Sequence, residues 1–110
     1  MTVDVKTQAD IIAAAVKRYG PIHQMLKTVE EAGELQRAIA RVIMEVREHP
    51  DADELEGGVV VNLIEETADV WIMIKQLTLI LGVDVVTAEA NRKLRRLAER
   101  LGMQIGEDAP

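Results

Sequence analysis

The sequence predicts an all-α fold, a four-helix bundle-like chain, on three observations. Its 110 residues are 48% apolar but only 2% aromatic, with Trp71, Tyr19 and no Phe. A core drawn from Ala, Val, Ile, Leu and Met suits packed helices and lacks the aromatic, turn-rich strands of small β barrels. Glycine and proline fall at the ends of long runs whose apolar positions recur at helical spacing. A length of 110 residues, 12.2 kDa, allows one domain, so residues 1–110 are expected to form a single helical unit.

The elements follow in order. A first helix is expected from about Thr7 to Tyr19, started by Thr7 or Asp10 and stopped by Gly20. Pro21 suits the first turn of a second helix, because its missing N–H would be unpaired there anyway. That helix, from about Ile22 to Glu48, carries an apolar stripe of Met25, Ala32, Leu35, Ile39, Val42, Ile43 and Val46. His49-Pro50 ends it, since proline disfavours α geometry in the residue before it. Asp51 to Gly58 reads as an acidic loop, and a third helix runs from there to about Leu81, stopped by Gly82. Asp84 can cap a fourth helix that ends at Leu101-Gly102, with an apolar stripe of Val86, Ala90, Leu94, Leu97 and Leu101. Met103 to Pro110 reads as a frayed tail.

Several function classes are disfavoured. There is no cysteine, hence no disulfide framework, thiolate zinc site or cysteine nucleophile. The net charge of −6 argues against a nucleic-acid partner, whose phosphates need a basic surface. The opening MTVDVKTQAD lacks the basic and apolar pattern of a signal peptide, and Lys75 interrupts the most apolar run well short of a membrane span. A cytoplasmic protein with no membrane partner is therefore expected.

The third helix carries Val60, Val61, Leu63, Ile64, Val70, Trp71, Ile72, Ile74, Leu77, Leu79 and Ile80, apolar on most sides. Such a helix must be buried on most sides, which a chain of this length does not achieve alone. A core completed by homo-oligomerisation, a homodimer or homotetramer, is expected, with Trp71 a core residue rather than a base-stacking platform.

Two acidic clusters carry chemistry. The second helix holds Lys27-x-x-Glu30-Glu31-x-x-Glu34, and the third holds Glu65-Glu66-x-x-Asp69. Acids three apart share a helical face and can reach one ion. On the third helix the polar residues Asn62, Glu65, Glu66, Asp69 and Gln76 form one stripe between apolar flanks, and buried acids need a cation or a shifted pKa. Glu31–Glu34 and Glu66–Asp69 are centred at equal distances either side of Pro50, so an antiparallel hairpin about that turn brings four carboxylates to one height. Oxygen-only ligation suits Mg²⁺, with Mn²⁺ a possible substitute. His23 and His49 stand alone and supply no Glu-x-x-His iron motif. Lys93, Arg96 and Arg100 flank the fourth helix's stripe, whereas Arg92 and Arg95 point away from it. Carboxylate-held ions with flanking bases suit the handling of a polyphosphate.

These residues resemble the MazG-like all-α nucleoside triphosphate pyrophosphohydrolases, through Lys27-x-x-Glu30-Glu31-x-x-Glu34-Leu35, Glu65-Glu66-x-x-Asp69-Val70 and Lys93-Leu-x-Arg96. The resemblance covers roughly residues 22–101. It implies an oligomeric helical bundle and Mg²⁺-dependent cleavage of a nucleoside triphosphate between the α and β phosphates, giving the monophosphate and pyrophosphate. It implies Glu31, Glu34, Glu66 and Asp69 as metal ligands, with Glu31 or Glu34 also activating the water. Lys27, Lys93 and Arg96 would contact substrate. A phosphoribosyl-ATP pyrophosphatase has similar acidic motifs, and a non-catalytic dimerisation module that binds divalent ions is the alternative of a different class.

Overall fold

Asp4, not Thr7 or Asp10, starts the first helix. A computed structural model describes residues 1–106 of the chain. In it the Asp4 side chain accepts a hydrogen bond from the Thr7 backbone N–H at 2.8 Å and opens α1, Val5–Tyr19. The bond to that N–H holds the Asp4 carboxyl below its ordinary pKa. Residues 5 and 6 thus join the helix earlier than the apolar pattern suggests. Gly20 follows at φ 87°, a left-handed value that a residue with a Cβ rarely adopts, and its N–H closes onto the Val16 carbonyl.

Pro21 then opens α2, Pro21–Glu48, which meets α1 across the Gly20 turn. The rings of Tyr19 and His23 stack over that junction, 5.7 Å apart. His49 closes α2, its N–H on the Glu45 carbonyl. The acidic loop ends sooner than expected, because α3 spans Gly57–Leu81 and so includes both loop glycines. Glu56 explains this start: its carboxylate accepts from the N–H groups of Gly58 at 2.7 Å and Val59 at 3.1 Å, satisfying donors that the first turn leaves unpaired. Gly82 separates α3 from α4, Val83–Arg100. Asp84 therefore lies inside the first turn of α4 and not at its cap, where it still complements the helix dipole. All four elements are α-helices, and no strand occurs among the described residues. Of the expected tail, 103–106 are exposed and without regular structure, and the remainder lies outside the described residues.

The chain divides into two units, Met1–Ile80 and the segment from Leu81 onward. Within the first, α2 and α3 run antiparallel. Gln24 bonds to Gln76, while Glu31 and Glu34 gather with Glu66, so positions later in α2 meet positions earlier in α3. The buried residues of α2 are Gln24, Glu31 and Ala38, at heptad spacing, and those of α3 are Met73 and Gln76. This corrects the stripe expected on α2: Met25, Ile39, Ile43 and Val46 are exposed within the single chain. The seam runs one residue to the side of the apolar stripe because polar pairs occupy it. Trp71 is likewise 51% exposed here, and no large side chain among the described residues is fully buried. In the second unit, α4 leaves Leu94, Leu97 and Leu101 exposed. No single helix among the described residues is long and apolar enough to cross a membrane.

Candidate metal centre

The centre of the α2–α3 seam is acidic. A carboxylate oxygen from each of Glu31, Glu34 and Glu66 lies within 4.8 Å of the other two. Helical spacing explains the α2 half, since residues three apart stand one above the other. The antiparallel pairing brings Glu66 to their height. Glu31 is 8% exposed, whereas Glu30 beside it faces solvent, so the seam selects one of two adjacent acids.

Three carboxylates at this range oppose one another, and Glu34 registers the conflict. The charge of Glu31 pushes its pKa up, and burial and the charge of Glu66 push in the same direction. One base offsets part of the repulsion: Lys27 lies 3.2 Å from Glu31 Oε1, one turn earlier on α2, and 3.7 Å from Glu30. Its bond to Glu31 and the charges of both acids raise the ammonium pKa. Lys27 reaches only one of the Glu31 oxygens. Oε2 of Glu31 and Oε2 of Glu66 are shut off from solvent with no hydrogen-bond partner. A buried, orphaned carboxylate oxygen is costly unless a cation or donor completes it. Two such atoms in a three-carboxylate cluster make an all-oxygen donor set of the kind that hard divalent cations take.

Asp69 is exposed on α3, one turn on from Glu66 and outside the group of three, and Glu65 is also exposed. Lys93 and Arg96 lie exposed on α4 in the second unit. Arg92, on the same helix, pairs with Glu89, which raises its own pKa and lowers that of the acid. A second acidic group, Glu45, Glu48 and His49, gathers at the end of α2. It is largely exposed, drawn from one helix end, and its His49–Glu45 approach of 3.9 Å is an ordinary helical i,i+4 pair.

One feature of the seam escapes reasoning from motifs. Gln24 and Gln76, 6% and 4% exposed, join amide to amide at 2.6 Å. The available signal was positional: the two glutamines are equally far from Pro50, like the acidic pairs.

Compared with family models, with curated proteins and with solved structures, the chain matches none.

Proposed function

We propose that this chain is a Mg²⁺-dependent nucleotide pyrophosphohydrolase, adding water across the α–β phosphoanhydride of a (deoxy)nucleoside triphosphate. The observation that carries the reading is the pair of buried, unpartnered oxygens on Glu31 and Glu66, in a group of three carboxylates drawn from two helices and completed by Glu34. Glu31, Glu34 and Glu66 fit a hard cation by donor type and would hold it, and the motif resemblance adds Asp69 as a fourth ligand. Mg²⁺, or Mn²⁺ in its place, supplies Lewis acidity toward phosphate oxygens and a more acidic bound water. The chain's own residues do the rest. Glu31 or Glu34 orients the water and takes its proton. Lys27 holds Glu31 in place before substrate arrives and offsets charge on the departing pyrophosphate.

The same reading includes assembly. Ile64, Trp71 and Ile74 are 62%, 51% and 47% exposed on α3, a helix without an apolar-to-polar gradient strong enough to face solvent. A homodimer or homotetramer in the cytoplasm covers them. This exposure also favours a second reading, a helical dimerisation module that binds divalent ions without turnover.

Pyrophosphate release from a mixed panel of nucleoside triphosphates separates the two. Turnover is expected with Mg²⁺ or Mn²⁺, poorly with Ca²⁺, whose longer bonds and looser geometry misplace the phosphates, and not in EDTA. Full turnover in excess EDTA overturns the metal-dependent reading. Tight Mn²⁺ binding with no pyrophosphate from any substrate favours the module.

A further inference from the structure

The acidic cluster raises a question of cause: something must hold three mutually repelling carboxylates together before a cation arrives. Apolar packing does not choose the register. Helix α3 carries large apolar side chains on most of its circumference, so sliding it one turn along α2 replaces one aliphatic contact by another. The eight residues from His49 to Glu56 between the helices leave slack for such a slide of about 5.4 Å. Repulsion within the cluster favours sliding.

The opposing element is the glutamine pair. Gln24 Nε2 donates to Gln76 Oε1 at 2.6 Å, and Gln76 Nε2 approaches Met73 Sδ at 3.6 Å. Gln24 Oε1 lies 2.8 Å from His23 Nδ1, so with the Gln24 nitrogen already donating, its oxygen accepts and His23 carries its hydrogen on Nδ1. Gln24 and Gln76 are more than nine-tenths buried. A one-turn slide would break the one bond between the two amides and leave Gln24 Nε2 and Gln76 Oε1 without partners in an apolar seam, at a cost well above that of an aliphatic exchange. Gln24 stands seven residues before Glu31 on the seam of α2, so what aligns the glutamines aligns the acids. Single polar residues in coiled-coil seams set register in the same way.

We propose that the Gln24–Gln76 amide pair is a positioning device for the carboxylate cluster, setting the register of α2 against α3 and holding Glu31, Glu34 and Glu66 together in the metal-free chain. Its consequence for metal binding rests on the cation-binding reading above; its consequence for register does not.

The experiment uses the full chain with Gln24→Met and Gln76→Met together, which keeps side-chain length and removes both amides without leaving one unpaired. Because the protein has no cysteine, spin labels can be attached at Arg41→Cys and Lys75→Cys, exposed positions on α2 and α3. These lie far apart along the hairpin axis, so a one-turn slide changes their separation by nearly its full length. One narrow distance is expected with the glutamines present. The double variant should show a second population displaced by about 5 Å. Its Mn²⁺ affinity should fall at least tenfold, while helicity and melting temperature hold or rise. An unchanged single distance overturns the register claim, and an Mn²⁺ affinity within twofold overturns the positioning claim. Should the double variant fail to fold, Gln76→Met alone, which leaves Gln24 its His23 partner, gives the same two readouts. Absence of Mn²⁺ binding in the unsubstituted chain defeats the metal reading and leaves the distance measurement to decide the register.

Discussion

Glu31 concentrates the conflict on which the site is built: it is buried, charged, paired with Lys27 through one oxygen and unpartnered at the other. Glu66 presents the same orphaned atom from the facing helix. Glu66→Gln keeps volume and hydrogen bonding while removing the charge that a cation needs. Turnover should fall by about 10² or more, roughly 3 kcal/mol of transition-state stabilisation. Asp69→Asn should lose turnover to the same order, and Glu30→Gln, at an exposed position, should be far milder. The metal-free melting temperature of Glu66→Gln should hold or rise, since one of three clustered charges is gone. Pyrophosphate release and melting curves on the same preparations check both halves. Glu34 supplies a pH signature. Its pKa in the fold lies above the ordinary 4.5, so the folded chain binds more protons than the unfolded one near that pH. Its contribution to stability is fully present below 4.5 and is lost as pH rises through the raised value. The metal-free melting temperature should therefore increase from about pH 7 down to about pH 5, and Glu34→Gln should flatten that increase. Asp4, shifted the opposite way, loses its contribution only as pH falls below its ordinary 3.8, outside this window.

At the scale of the helix, α2 contains one local rule broken beside the site. Gly33 sits mid-helix between the seam acids, and a Cβ built there meets nothing within 4 Å. Glycine in a helix interior costs about 0.5–1 kcal/mol relative to alanine through its larger loss of backbone freedom. Gly33→Ala should accordingly raise the melting temperature by a few degrees. Unchanged turnover is expected, and a calorimetric scan beside an activity assay checks it. The helices themselves were legible in sequence, because Gly20, Pro21, His49-Pro50 and Gly82 punctuate long periodic runs. The starts were less so: Asp4 and Glu56 cap their helices through side chains whose role emerges only once the turn has formed. The height at which Glu31, Glu34 and Glu66 meet could be read from their distances to Pro50. The seam on α2 could not be read from apolar periodicity, because two of its three buried positions, Gln24 and Glu31, are polar, and Gln24 is bonded to a residue of another helix. Asp69 shows the converse: spacing groups it with Glu66, yet it is exposed in the single chain and lies outside the group of three.

For the whole molecule, the apolar residues exceed what one chain covers. In a monomer Trp71→Asp would replace a half-exposed side chain at small cost; in a shared core it buries a charge without a partner. Trp71→Asp or Ile64→Asp should unfold the protein or drive it to aggregate, and light scattering should give the unsubstituted protein a mass of at least two chains. A stable monomer would contradict the shared core. Everything proposed about chemistry depends on a cation held where α2 and α3 bring their acids together. Titration of Mn²⁺ into metal-free protein, followed by calorimetry, tests this most directly. Saturable binding is expected in the unsubstituted chain and in Glu45→Gln, with loss in both Glu31→Gln and Glu66→Gln. Absence of saturable binding, or binding that survives Glu31→Gln and Glu66→Gln, would contradict a metal centre on the α2–α3 seam.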